Sequence, residues 1–235
     1  VAVPVFGAKT RANATSGSSI TMTDPTGSAN DIMFAWIVHN PVTNIIAFPG
    51  WSLLRSFSGA LANVYLYWQR RASSSAPNLT ITLGGAVTYW EYSCLTWTGC
   101  ETNGLPWNCI ANNPTRQINP CAPKCPSVRT SVPNCLAVAF GMGWAGSSGA
   151  VWSAPSGYTI RENGGSVGND LCVAEKALTA AGTEVPGAFG NASASLSDVA
   201  EVTIALMEPQ VQPSSLSPIP NAGNTFVRRQ RAIWR

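Results

Sequence analysis

"FAWIVHNPVTNIIAFPGWSLLR" (Phe34–Arg55) and "VAFGMGWAGSSGAVWSAPSGYTIR" (Val138–Arg161) follow one plan twice. Each is an apolar run, a polar loop, a turn of Pro and Gly before an aromatic residue, and a short stretch ending in Arg. Pro49 aligns with Pro155, Leu54 with Ile160 and Arg55 with Arg161, each pair 106 residues apart. The runs ahead of them, Asp31–Trp36 and Cys135–Phe140, match at 104, and Val64–Tyr67 and Leu171–Ala174 behind them match at 107. Both halves then close alike, on Val87–Tyr92 and Val199–Ile204. A spacing this nearly constant points to an internal repeat.

The local pattern is β. Ile20–Thr23, Asp31–His39, Val64–Arg70, Leu79–Gly84, Ala86–Ser93, Cys135–Met142, Leu171–Leu178 and Val199–Met207 are short, rich in β-branched or aromatic residues, and bounded by Gly, Pro, Asn or Ser. Leu171–Gly182 is the best helix candidate, and its first half alternates better than it winds. Alternation puts Val202, Ile204 and Leu206 on one face and turns Glu175 and Glu201 outward to solvent. A four-strand unit with one apolar face must bury it against something. Two such units closed over each other predict an all-β, jelly-roll-like two-sheet antiparallel sandwich with pseudo-twofold order.

Two segments depart from the repeat. Residues 94–134 hold most of the cysteines and six Pro, so they read as an irregular insertion within a sandwich of residues 1–209. Residues 210–235 carry Pro213, Pro218 and Pro220 and read as an extended C-terminal arm.

Charged residues are only 11% of the chain, against about 25% in an average soluble protein. Such a surface suits packing against neighbours better than steering a charged substrate or reading nucleic acid. The net charge of +3 is local: four of fourteen basic residues lie in 226–235, leaving ten basic against eleven acidic elsewhere. No window is apolar enough to span a membrane. No export signal is evident, which fits synthesis in a cytoplasm.

No catalytic motif stands out. His39 is the only histidine, at the end of a strand, and nucleophilic triads need an imidazole with partners. Neither a Gly-x-Ser-x-Gly elbow nor a phosphate-binding loop occurs. The acids are scattered, so a facing carboxylate pair of glycosidase type would emerge only in three dimensions. No cofactor is implied.

The cysteines are the sharpest local signal. Cys94, Cys100, Cys109, Cys121, Cys125 and Cys135 are expected to form disulfides that staple the insertion, with no pairing assigned. Reduced, packed thiols are the alternative, and Cys121-x3-Cys125 is a poor zinc knuckle with no nearby His. Cys172 reads as a buried thiol. Trp97 and Trp107 could stack on sugars or be covered as core. In the arm, Phe226, Arg228, Arg229, Arg231, Ile233, Trp234 and Arg235 suit docking on another subunit, with the aromatics in pockets and the guanidinia on carboxylates. Nucleic-acid contact through four cations would be weak and salt-sensitive. A solvated tail is the simplest alternative.

Taken together, Asp31–Ala35, "PGWSLLR" (Pro49–Arg55) and Val64–Arg71 in the first half, with Leu136–Phe140, "APSGYTIR" (Ala154–Arg161) and "LCVAEKAL" in the second, resemble a β-sandwich module of tailed-bacteriophage virion proteins. The resemblance implies a non-enzymatic structural protein of the virion, assembled in the host cytoplasm. It would be a capsid cement or decoration protein that grips the major capsid protein through its arm and a sandwich edge, as a homo-oligomer with a trimer expected. A tail-associated receptor- or glycan-binding module is the alternative. The cysteine-rich segment and the arginine-rich arm depart from that pattern.

Overall fold

The computed structural model describes residues 2–40, 44–74, 79–112, 122–144, 151–165, 169–191 and 199–210. The arm beyond Gln210, with all seven of its named docking residues, lies outside them, as does Cys121. Among the described residues every regular element is a strand, and all pairings are antiparallel. Leu171–Gly182 is no helix: its alternating half belongs to a strand, Asn169–Leu178.

The first half contributes β1 (Val5–Ala14), β2 (Gly17–Met22), β3 (Ile32–His39), β4 (Ile45–Ala47), β5 (Ser52–Ser58), β6 (Asn63–Arg70), β7 (Leu79–Val87) and β8 (Trp90–Thr98). They form a five-stranded sheet in the order β1-β8-β3-β6-β5 and a three-stranded sheet β2-β7-β4. In the second half come β9 (Trp107–Asn112), β10 (Lys124–Cys125), β11 (Val128–Thr130), β12 (Cys135–Trp144), β13 (Trp152–Ser153), β14 (Thr159–Gly165) and β15 (Asn169–Leu178). The short β16 (Gly182–Glu184), β17 (Gly187–Ala188) and β18 (Gly190–Asn191) follow, and β19 (Val199–Met207) closes the fold. Its five-stranded sheet runs β14-β15-β12-β19-β9, the first order with each strand replaced by its counterpart.

The five-stranded sheets pack face to face. Ile32, Phe34, Trp36 and Val38 of β3 meet Leu136, Val138, Phe140 and Met142 of β12 in one core, which Leu95, Val202, Ile204 and Leu206 extend. The alternation expected of β19 is borne out by that last trio. The Phe34 and Phe140 rings lie 5.5 Å apart, edge to face, and Trp36 Nε1–H donates to the Gly141 carbonyl at 3.1 Å.

Each sheet is also covered on its other face, so the fold is thicker than a two-sheet sandwich. Met33, Ala35 and Ile37 pack with Ile20, Met22 and Ile81 beneath the three-stranded sheet. Ala137, Ala139 and Cys172 pack with Cys125, Trp152 and Phe189 beneath the strand pairs β10–β17, β11–β16 and β13–β18. The physical reason is visible in β3 and β12. "IMFAWIV" and "CLAVAFGM" are apolar at every position, not every second one, and such a run must be buried on both sides. The outer layer of the second half is broken because Pro126 separates β10 from β11 and Pro186 separates β16 from β17. Proline cannot donate to a ladder.

Residues 94–134 are accordingly not a single irregular excursion. Cys94–Thr98 complete β8, Trp107–Asn112 make β9, and β10 and β11 start the outer layer of the second half. Their Cys and Pro content hides a boundary between repeats.

The two halves share fine detail as well as order. Trp51 N–H donates to the Phe48 carbonyl (3.3 Å), and Tyr158 N–H to the Pro155 carbonyl (3.0 Å). Gly50 and Gly157 sit at the third turn position with φ of 79° each, as a type II turn requires. Both following edge strands carry a bulge, at Leu54 between Leu53 and Arg55 and at Arg161 between Ile160 and Glu162. β1 and β9 share a second bulge, β1 between Phe6 and Lys9 and β9 between Trp107 and Cys109. Turn and bulge both give an offset of 107 (Gly50 to Gly157, Leu54 to Arg161). Pro49 therefore corresponds to Ser156, and Arg55 to Glu162, one residue from the sequence match. Through the ladders Ala35 corresponds to Ala139, as the offset of 104 predicts. Tyr92 corresponds to Glu201, an offset of 109, where sequence similarity alone suggests 112.

Candidate functional site: the two edges of the seam between the sheets

Where the five-stranded sheets face each other, the seam has two long edges. At one, β1 meets β14. At the other, β5 meets β9. The internal twofold exchanges them, since β9 corresponds to β1 and β14 to β5.

The β1–β14 edge is closed by ions. Arg11 Nε lies 2.8 Å from Glu91 Oε1, and its Nη1 lies 4.0 Å from Glu162 Oε1. Lys9 Nζ reaches Glu162 Oε2 at 3.3 Å, and Ser93 Oγ donates to the same oxygen at 2.9 Å. Tyr89 OH donates to Glu91 Oε2 at 2.9 Å. Gly164 makes room for the Arg11 side chain; a Cβ there would fall 1.9 Å from Nη1. Glu91 and Glu162 are 0% and 2% exposed. Burial pushes the Glu91 carboxyl up to about 7, with Asp170 adding to the rise, while Arg11 and Tyr89 pull it down. Farther along, Trp97 Nε1–H donates to Glu175 Oε2 at 2.7 Å, and Arg161 Nε donates to Glu175 Oε1 at 2.8 Å while lying over the Phe6 ring.

Among the described residues the β5–β9 edge is open. Arg55 Nε donates to Asn112 Oδ1 at 2.8 Å and Arg55 Nη1 to the Leu54 carbonyl at 2.7 Å. Beside this bridge a cleft of about 240 Å³ is walled by Phe57, Ala62, Val64, Met142, Val199 and Ala200, with Ser56, Ser58 and Asn112 among its polar lining.

The carboxylates follow a rule that the sequence hides. Ten of the eleven acidic residues are described, and none is exposed. Asp24 binds the buried Arg71 guanidinium through both oxygens, at 2.8 and 2.5 Å. Glu101 accepts from the Asn103 and Gln210 amides at 2.7 and 2.5 Å, Glu201 from the Lys124 amide at 2.8 Å, and Glu208 from Asn134 Nδ2 at 3.1 Å. Glu184 pairs with Lys176 at 3.0 Å. Glu175 and Glu201, expected to face solvent, are 6% and 1% exposed. The three-dimensional structure does bring two carboxylates, Glu91 and Glu162, to one guanidinium, but both are sealed inside the seam.

Six cysteines are described, and all are free thiols: Cys94, Cys100, Cys109, Cys125, Cys135 and Cys172. The expected disulfides among Cys94, Cys100, Cys109, Cys125 and Cys135 are therefore corrected. These residues are spread through three separate cores and serve as small apolar side chains. Burial drives the Cys100 thiol up to about 12 and Cys135 to about 11. Cys172 is the buried thiol its sequence suggests. Among the described residues no group of three or more His, Cys, Asp or Glu could hold a metal.

Trp97 and Trp107 both lie in the seam core, at 0% and 9% exposure. Phe6 and Phe34 pack edge-on against Trp97, and Trp68 against Trp107. Neither indole face is open to a sugar in this arrangement. His39 is buried, stacked on Tyr65, with Nδ1 2.7 Å from the Asn40 carbonyl; desolvation lowers its pKa. No helix among the described residues is long and apolar enough to cross a membrane. Comparison with known proteins finds no matching family model, no matching curated protein and no matching solved structure.

Proposed function

We propose that the chain is a non-enzymatic structural protein of a tailed-bacteriophage virion, acting as a cement or decoration protein on the capsid. The observation that carries this reading is the inward turn of every described carboxylate. Ion pairs and amide hydrogen bonds use the acidic side chains to join the two halves and anchor loops, and no described carboxylate is left on the outer surface, which exposes Ile46, Leu53, Val151 and Val185. Charged groups are costly to desolvate and are depleted at the centres of protein interfaces. A rigid body with few exposed charges is suited to burial against neighbours in a lattice. The strand orders support reading each half as jelly-roll-like: 1-8-3-6 in one layer and 2-7-4 in the other.

Residues 210–235 are the proposed grip, with Trp234 and Phe226 as anchors and the four arginines pairing with acids of the major capsid protein. A homo-oligomer, with a trimer expected, would multiply that grip. The test is incorporation into particles. A chain ending at Gln210 should unfold at the same denaturant midpoint as the full chain yet be lost from purified particles. Normal incorporation would refute the arm's role. Saturable binding on a glycan array would move the protein to the receptor-binding class.

A further inference from the structure

The two seam edges are equivalent by the internal twofold, yet the described residues fill only one. Ladder register pairs Arg11 with Asn112, through Ser93 and Val202, and Glu91 with Ala200, through Val38 and Met142. The bulge offset pairs Glu162 with Arg55. At the closed edge a cation on the first strand meets two acids. At the open edge the cation has moved to the opposite strand, as Arg55, and both acids are gone. The volume that the Glu91 side chain fills on one side is bounded on the other by the methyl group of Ala200, and there the cleft lies.

We infer that this cleft between β5 and β9 is a binding site for a small amphipathic anion, whose acidic head supplies the carboxylate that the twofold mate carries in its own chain. The apolar body would lie against Phe57, Val64, Met142 and Ala200. The head would meet Arg55 and the Ser56, Ser58 and Asn112 groups. Arg55 already donates to Asn112 Oδ1 and the Leu54 carbonyl, which fixes its guanidinium beside Asn112, a residue of the cleft wall, and no described acid pairs with it. A fixed guanidinium loses little freedom on binding an oxyanion and offers further N–H donors to it. Among the described residues nothing acidic lines the cleft, so a cationic ligand finds no described carboxylate there.

Hexanoate is the probe, with hexanol and hexylamine as neutral and cationic counterparts of the same body. Titration of the full-length chain, followed by amide chemical shifts, should show saturable hexanoate binding near about 1 mM. The shifts should centre on Ser56, Ser58, Asn112 and Ala200, and hexylamine should bind at least about tenfold more weakly. Ala200→Leu fills the cleft and should abolish binding of all three. Arg55→Gln should lower hexanoate to the affinity of hexanol while leaving hexanol unchanged, which holds even if the leucine variant fails to fold. Leu105→Ser, at an exposed site away from the cleft, should change nothing. Absence of saturable binding, equal affinity for amine and acid, or full hexanoate affinity in Arg55→Gln would each overturn the inference. None of these outcomes bears on incorporation into particles, so the two proposals stand or fall separately.

Discussion

Glu91 sets a pH dependence that can be worked out from its surroundings. Its carboxyl is fully buried at the closed seam edge, bonded to Arg11 of β1 and Tyr89 and under the influence of Asp170 of β15, while Glu162 of β14 shares Arg11 and is held by Lys9. Desolvation outweighs the arginine and lifts its pKa from 4.5 to about 7. Between those pH values the folded chain holds a proton that the unfolded chain has released. The contribution of Glu91 is therefore most favourable below about pH 4.5 and is lost as pH rises through 7. At 1.36 kcal/mol per pH unit, the full swing is about 3 kcal/mol. Glu91→Gln abolishes the titration, keeps its one side-chain oxygen for Arg11 Nε and turns its amide N–H to the Tyr89 hydroxyl, which can accept. Urea unfolding of both proteins, followed by tryptophan fluorescence from pH 4 to pH 8, isolates the effect, because the difference cancels every titrating group not coupled to Glu91. The glutamine variant should gain on the wild type by about 3 kcal/mol between the two ends. Parallel curves would refute the argument. A wild type that gains on the variant as pH rises would show that the Arg11 pair, and not burial, governs the site.

Two further outcomes test the packing. Gly141 faces Cys172 across the ladder, and a Cβ there would fall 2.7 Å from Sγ and 3.1 Å from the Phe189 ring. Gly141→Ala should cost about 1–3 kcal/mol in chemical unfolding, and Cys172→Ala in that background should recover part of it; a neutral single variant would contradict the packing. Peptide mapping after alkylation should find Cys94, Cys100, Cys109, Cys125, Cys135 and Cys172 unpaired. In the native protein, half-buried Cys109 should react first and the buried Cys94, Cys100, Cys125 and Cys172 only on unfolding, and a disulfide joining any two of the six would refute the assignment.

Much of the fold can be read in the chain because strand patterns and turn chemistry are local. The turns at Pro49-Gly50 and Ser156-Gly157 are written in residues that few other conformations favour. The repeat survives as recurring apolar runs. The register of the repeat is less legible, since a bulge shifts a strand by one residue without a reliable mark in composition. The repeat boundary near residue 100 was masked for a similar reason. Cysteines clustered along the chain look like a staple, yet here they disperse into three cores.

The sequence by itself determined an all-β chain with two similar halves, the inner face of β19, the buried Cys172, and a surface poor in charge. Only the tertiary structure decided that each central sheet is buried on both sides, that the acids point inward, and that one seam edge is closed by ions while its twin is open. Apolar periodicity reports whether a face is buried but not which layer covers it. The partner of a carboxylate is chosen by strands that meet across the seam, such as Arg11 and Glu162, which lie 151 positions apart in the chain.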